Sequence, residues 1–495
     1  MSFNFNAADL VWISPFLILA ITGMLLVLAE AFFKGRDHTT LVGLSVAGSL
    51  AAAIAAILVY RQLAPGELHP IFSDAKSGAM LVADRFGCVL TVLFSLTAAA
   101  TALISPAHQR EHGWQIGEFY GILLLSASGM VILAQAANLI TIFLGIETMS
   151  IGVYVMCAMR RTSRRSNEAA MKYFIIGAFA TGFLMYGLAL LYGASGTLSL
   201  LNMQAALVHS ANPGLVVAGG FLLIVAFGFK IAAVPFHMWA PDAYEGAPTP
   251  VTGFMAAAVK SAAIAAMIRL FGIALGGDVL PFGTLGWASP LVVVAGITIT
   301  IGNISAVRQD NIKRMLAYSS ISHAGVLLVG LCAMGLGSAS AQSALLYYLI
   351  AYSVATMGAF AIVSYVGSRG RERLLVDDWA GLASQHPGAA LAMTICLLSF
   401  GGMPPTGGFF AKFFLFKSAM DVWNGQLLWV VVLGVANSAI SIYYYLRVVT
   451  AMYFREPTQP FAVSRSPGLL FVIALVPLLI LELGIMPGWW MNLLS

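Results

Sequence analysis

The sequence predicts an all-α, polytopic membrane protein, and three observations carry that prediction. Hydrophobic residues make up 60% of the 495 residues and charged ones 9%, whereas about a quarter of a soluble globule is charged. Mean hydropathy is +0.90. Apolar runs of about twenty residues, each long enough to cross roughly 30 Å of hydrocarbon as a helix, recur along the whole chain.

Fourteen such runs are expected, at 11–33, 40–60, 82–105, 117–136, 138–159, 168–193, 214–243, 250–275, 286–306, 312–334, 341–366, 389–420, 427–453 and 467–487. The first three form an N-terminal group, 1–105. Residues 117–275 and 286–454 form two five-helix units, and 455–495 supply a loop and a last span. Residues 1–10 contain Asp9 and no Lys or Arg. A secretory signal starts with basic residues, so the first run is expected to stay as a membrane helix.

Connections after odd-numbered runs hold Lys34, Arg36, Arg110, Arg160, Arg161, Arg164, Arg165, Arg308, Lys313, Arg314, Arg369, Arg371, Arg373, Arg447, Arg455 and Arg465, sixteen of the 25 basic residues. Connections after even-numbered runs hold Arg61, Lys76, Arg85, Arg269 and Lys417. The positive-inside rule then places the odd connections in the cytoplasm and both termini opposite, on the periplasmic side. The loop AYEGAPTP (243–250) has no Lys or Arg and does not bear on this. Topology accounts for the formal charge of +5, so no nucleic-acid partner is expected. The arginines at 160–165 suit anionic lipid headgroups.

Four charges sit inside apolar runs: Glu147 in NLITIFLGIETMSIGVYVMCAM, Lys230 in FLLIVAFGFKIAAVPFHMW, Lys260 in VTGFMAAAVKSAAIAAMIRL and Lys412 in GGFFAKFFLFKSAM. Each costs about 2.5–3.5 kcal/mol near a bilayer centre on insertion scales, which points to a path for charge. Lys172, the remaining basic residue, is expected to pair with Glu168 at i,i+4, as Glu30 does with Lys34. Asp242 and Glu245 are expected to tether the loop after the seventh run, and Glu482 has no assigned role.

Two runs are interrupted. Pro235 removes a helix hydrogen bond to the carbonyl of Ile231, between Lys230 and His237. Gly401-Gly402-Met403-Pro404-Pro405-Thr406-Gly407-Gly408 interrupts the other, a turn before Lys412. Broken helices at membrane depth face protein or a wet cavity. Their recurrence in two units suggests inverted repeats, with the transport site beside the breaks. PTPVTGF (248–254) and PPTGGF (404–409) share composition rather than register.

Cys88, Cys157, Cys332 and Cys396 lie singly and make no ligand spacing, so they read as small buried residues, with no metal expected. Of the histidines, only His237 and His323 fall within the runs, which leaves no second pair for a haem.

The strings KIAAVPFHMWAPDAYEGAPTPVTGFMAAAVK (230–260), QDNIKRMLAYSSISHAG (309–325), DDWAGLASQHP (377–387) and SFGGMPPTGGFFAKF (399–413) resemble the antiporter-like subunits of proton-pumping NADH:quinone oxidoreductase, respiratory complex I. Lys412 is similar to the L and N types, where the M type carries glutamate. An L-type chain continues into a lateral helix after the core, so the N type is the expected subgroup.

The resemblance implies a proton relay. Glu147 and Lys230 look like the family's charge pair, Lys260 like the central relay, Lys412 like its end, and His237 like a bridge between Lys230 and Lys260. Lysine suits this work because burial makes its proton easier to release, and an approaching carboxylate opposes that. Each residue also has a structural alternative: an interhelical hydrogen bond for Glu147, snorkelling for the lysines and an interfacial position for His237. His323 reads first as a packed, hydrogen-bonded histidine, with a proton role as the alternative.

The resemblance also implies no cofactor in this chain, with FMN, iron–sulfur clusters and quinone in partner subunits. The partners would be antiporter-like subunit M, the small membrane subunits and membrane lipids, in a bacterial inner membrane. A cation/proton antiporter subunit is the alternative function. It is disfavoured because sodium wants several oxygen ligands and Glu147 is the one clear mid-membrane carboxylate. A passive scaffold leaves the pairing of charges with helix breaks unexplained.

Overall fold

The computed structural model describes residues 7–32, 38–74, 78–276, 286–367, 372–422, 425–457, 460–464 and 466–495. The loop cations Lys34, Arg36, Lys76, Arg369, Arg371 and Arg465 lie outside these residues. Helices α1 (Ser14–Glu30), α2 (Thr39–Gln62), α3 (Arg85–His112), α4 (Glu118–Ala134), α5 (Leu139–Ala158) and α6 (Arg164–Ser195) come first. Then follow α7 (Pro213–Ile231), α8 (Trp239–Gly246), α9 (Thr249–Ala274), α10 (Ala288–Val307), α11 (Ile312–Gly335) and α12 (Ala341–Val366). The chain closes with α13 (Pro387–Gly401), α14 (Gly407–Met420), α15 (Leu428–Phe454), α16 (Pro467–Ile485) and α17 (Pro487–Leu494).

Among the described residues, 11 helices are long and apolar enough to cross a membrane, and α1, α4 and α13 are shorter apolar helices. The all-α expectation needs one correction. His69–Asp74 and Gly78–Ala83 form an antiparallel hairpin, in register at Ile71 and Leu81. Isoleucine, phenylalanine and valine in this short stretch favour strand pairing, and only its last two residues fall within an expected apolar run.

Polar residues set several helix starts. Asp84 caps α3 by accepting from the Gly87 amide at 2.8 Å, and Asn138 and Thr141 form a reciprocal capping box on α5. Asn311 accepts from the amides of Lys313 and Arg314 at the start of α11. Helix α3 does not stop at 105: it passes Pro106 and ends with Gly113 in the left-handed region, so His108 and His112 are helical. Those histidines fell outside the expected runs.

Burial separates centre from periphery. The apolar window of α9 is 100% buried and that of α11 94%, against 33% for α2 and α6. The pair α10 and α11 packs closely at Gly302, where an added Cβ would lie 2.7 Å from the Ser322 amide nitrogen. Away from the loops, the Arg269 guanidinium meets Asp84 at 2.6 Å and the Ala134 carbonyl at 2.7 Å, tying α9 to α3 and α4. The lone Glu168 partner expected for Lys172 is incomplete, since Asp242 also lies 2.8 Å from its ammonium. Arg314 bonds both Asp242 and Glu245, which confirms the tether expected of them. Glu30 has His38 at 3.5 Å, and Glu482 accepts from the Trp490 indole at 3.0 Å.

Glu372, in the loop after α12, ties three helix ends together. It accepts from the Thr249 hydroxyl of α9 at 3.1 Å and meets His108 of α3 at 2.9 Å and Lys313 of α11 at 3.5 Å. Burial pushes its carboxyl up, but Lys313 and the His108 hydrogen bond outweigh that and hold it below the ordinary carboxylate range. A depressed folded-state pKa stabilises the fold above the unfolded value of about 4.3, and that contribution is lost as pH falls further. Glu372→Gln, which leaves Lys313 buried without its counter-charge, is expected to cost about 3 kcal/mol at pH 7. Thermal unfolding in detergent should show the deficit at neutral pH and a shrinking one below about pH 4.

Candidate functional site: a row of buried lysines

Each interruption lies beside one buried lysine. Helix α7 ends at Ile231, and Ala232 adopts the left-handed region at φ 59°, unusual for a residue with a side chain. The groups freed by the break find partners: the Val234 amide donates to Thr298 at 3.0 Å and the Trp239 indole to the Phe229 carbonyl at 3.0 Å. On the last turn of α7, Lys230 is 7% exposed. Its ammonium donates to Ser150 at 2.9 Å and to the Tyr154 hydroxyl at 3.3 Å, both on α5.

Glu147 lies one turn before Ser150 on α5, half-buried, and accepts a 2.7 Å hydrogen bond from Thr181 of α6. The ligands of Lys230, Ser150 and Tyr154, follow it on the same helix. Glu147 and Lys230 form no direct ion pair among the described residues, because Ser150 and Tyr154 occupy the ammonium.

Lys260 follows a π-helical stretch of α9, Met255–Val259, and is 3% exposed. Such single-turn widenings often mark functional positions. Its ammonium bonds the hydroxyl and carbonyl of Ser320 on α11, whose hydroxyl also accepts from Tyr352 at 2.9 Å. Next to Ser320, Ser319 bonds the Tyr445 hydroxyl, which reaches His323 Nε2 at 3.5 Å. His323 Nδ1 pairs with the Tyr348 hydroxyl at 2.6 Å.

The second break differs from the first in giving a freed carbonyl to its lysine. Helix α13 ends at Gly401, and Gly402 sits at φ 78°. The freed Gly401 carbonyl accepts from the Lys412 ammonium at 3.1 Å, and Lys412 is 9% exposed. Lys412 and His323 line one small polar cavity with Asn303, Ser322 and Tyr444.

Of the residues expected from the sequence, His323 and Lys412 therefore line one cavity, Lys260 is held by Ser320 next to Ser319 of the Tyr445–His323 contacts, and Lys230 joins the helix of Glu147. His237 lies in the turn between α7 and α8, half-exposed, and hydrogen-bonds neither Lys230 nor Lys260 among the described residues; its Nδ1 is buried without a partner. The hydroxyls of Ser150, Tyr154, Ser320, Tyr352 and Tyr445 were missed by sequence reasoning. Serine and tyrosine in a membrane helix carry no signal that separates a ligand from a packed residue.

The family model described as NADH:quinone oxidoreductase/Mrp antiporter, TM, matches residues 136–441. That span contains all five charged or histidine positions of the row from Glu147 to Lys412, and the chain belongs to this class of antiporter-like membrane subunits. Within the class it falls with subunit N: it is 43% identical over 459 residues to the NADH-quinone oxidoreductase subunit N of Trichlorobacter lovleyi, covering 92% of this chain and 90% of that one. A chain of respiratory complex I from Thermus thermophilus is 31% identical with a TM-score of 0.78, covering 97% of this chain and 99% of that one. A chain of the Mrp complex of Dietzia is 21% identical with a TM-score of 0.85, covering 99% and 96%, a likeness of fold.

Gly402 gives a test of the second break. Alanine there would take on a left-handed backbone and place its Cβ 2.9 Å from Lys412 Cδ. Gly402→Ala is expected to cost about 1–2 kcal/mol and to displace Lys412, read as a lowered unfolding temperature in detergent.

Proposed function

We propose that this chain is a membrane-arm subunit of an NADH:quinone oxidoreductase and moves protons along the row Lys230, Lys260, His323 and Lys412. Glu147 tunes the near end. The observation that carries this reading is that the three lysines are buried and held by hydroxyls and carbonyls, with no carboxylate at ion-pair distance among the described residues. An ammonium left without a counter-ion in a low-dielectric interior is costly, and releasing its proton relieves that cost. Fixed charge pairs elsewhere in the chain, such as Arg269 with Asp84, have no such incentive.

Serine and tyrosine hydroxyls can both accept and donate a hydrogen bond, so those that hold the lysines are groups able to pass a proton on. Each charge carried across 100 mV requires about 2.3 kcal/mol, which quinone reduction in partner subunits would supply. His237, with its buried free nitrogen in the turn after the first break, is assigned to the loop side of Lys230 rather than between the lysines.

The same reading takes α1, α4 and α13 with α14 as crossings, giving fourteen spans with two inverted five-helix repeats, 117–275 and 286–454, and both termini periplasmic in a bacterial inner membrane. FMN, iron–sulfur clusters and quinone would reside in partner subunits, with subunit M and the small membrane subunits as neighbours. A cation/proton antiporter shares the fold, and the 43% identity to a subunit N favours the redox complex.

In an assembled complex reconstituted in liposomes, Lys230→Ala is expected to depress proton pumping severalfold together with quinone reduction. Glu147→Gln should be milder, because the carboxylate modulates the lysine and does not carry the proton. Pumping at the wild-type rate by Lys230→Ala would remove Lys230 from the path.

A further inference from the structure

A second group of buried titratable side chains lies apart from the lysine row. It comprises His108 and His112 at the end of α3, Lys313 at the start of α11, and Glu372. Of the histidines, His108 is 1% exposed and His112 8%, and Lys313 is fully buried. The Trp114 indole donates to His108 Nδ1 at 3.1 Å. An indole N–H can only donate, so the His108 proton sits on Nε2 and points at Glu372, 2.9 Å away.

His112 differs from every other member. Its ring packs on His108 at 4.3 Å, and both of its nitrogens are buried with no hydrogen-bond partner. A histidine kept only for packing leaves two polar atoms unpaid in such a place. Ligand atoms of His108, His112 and Glu372 lie within 4.8 Å of one another, a spacing that would suit a metal ion. Two neighbours oppose one. Trp114 occupies the free nitrogen of His108 and directs its proton to where the metal would sit, and Lys313 already balances the charge of Glu372.

The group leads towards Lys260. The Lys313 ammonium donates to the Ala247 carbonyl at 2.8 Å, and the Thr252 hydroxyl contacts the carbonyls of Ala247 and Tyr244. Helix α8, which carries Tyr244, packs against α11, whose Ser320 holds Lys260. Thr249, bonded to Glu372, opens the helix that carries Lys260 about three turns further on. Among the described residues, the other charges that act on the group are Arg160, after α5, and Glu245, on α8.

We propose that His112, with His108, Glu372 and Lys313 around it, is the proton-uptake site for Lys260 from the side of the positively charged loops. Water outside delivers a proton to a ring nitrogen of His112, and the ionised Glu372 stabilises the imidazolium. The proton then passes by way of the Thr252 hydroxyl and intervening water to the Ser320 hydroxyl and the neutral amine of Lys260. Each hydroxyl accepts one proton and gives one up, so His112 and the hydroxyls return to their starting state and Lys260 gains the charge. This inference rests on the proton row proposed above.

The test uses the whole complex in liposomes, with pumping followed from external pH 6 to pH 8.5. His112→Ala is expected to pump severalfold more slowly at the alkaline end, where protons are scarce, and near the wild-type rate at the acid end. Imidazole added outside should restore the alkaline rate by filling the space left. His112→Gln, which keeps the volume, should show the same profile and serves if the alanine variant does not assemble. A wild-type profile in an assembled His112 variant overturns the proposal, as does a loss that is equal at every pH and indifferent to imidazole. Lys260→Ala, run in parallel, separates the two levels. If it pumps normally, the lysine row itself fails; if it stops pumping while the His112 variants are unaffected, the row stands and uptake lies elsewhere.

Discussion

A lysine ammonium removed from water must find oxygen atoms, and that constraint organises the centre of this protein. In the low-dielectric interior a cation without partners costs several kcal/mol, so each lysine of the row has to be given lone pairs. Regular membrane helices offer few, since most of their carbonyls are engaged within the helix, although Lys260 also takes the Ser320 carbonyl of α11. The chain solves this in two ways. The breaks after Ile231 and Gly401 leave backbone groups free, and Lys412 takes the Gly401 carbonyl directly. Serine and tyrosine side chains supply the remainder, Ser150 and Tyr154 to Lys230 and Ser320 to Lys260.

Those ligands hold a cation without fixing its charge, and this separates the row from the ion pairs around it. Asp84 with Arg269 and Glu372 with Lys313 join carboxylates to cations and pin helices together. Hydroxyls and carbonyls accept a hydrogen bond from an ammonium and leave it free to become an amine. The scaffold and the proposed path thus use lysine with different partners. The fully buried window of α9 and the nearly buried one of α11 keep lipid and bulk water away from the path between them.

Much of this was legible in the sequence because the bilayer imposes strong patterns. Glu147, Lys230, Lys260 and Lys412 stood out as charges in apolar runs, and Pro235 and the Gly401–Gly408 string announced the breaks. Other features depend on long-range packing and left no local trace. Asp84 and Arg269 lie far apart in the chain, and the π-helical turns of α9 occur among alanines that would equally make an ordinary helix. Glu372 resembled an ordinary loop residue until the fold placed three helix ends around it. His323 was read first as packing, because a lone histidine in an apolar helix carries no sign of its neighbours; Tyr445, Tyr348 and the Lys412 cavity supply one. His237 was expected as a bridge from the family resemblance; it lies in the turn after the break and hydrogen-bonds neither Lys230 nor Lys260 among the described residues.

The most direct test of a path through hydroxyl-held lysines is the number of protons moved per electron pair by a reconstituted complex carrying Lys260→Met, which keeps the side chain's length and removes its charge and proton. The account predicts a clear fall in that number, or a parallel loss of pumping and quinone reduction if the steps are tightly coupled. An unchanged ratio at the wild-type rate would contradict it.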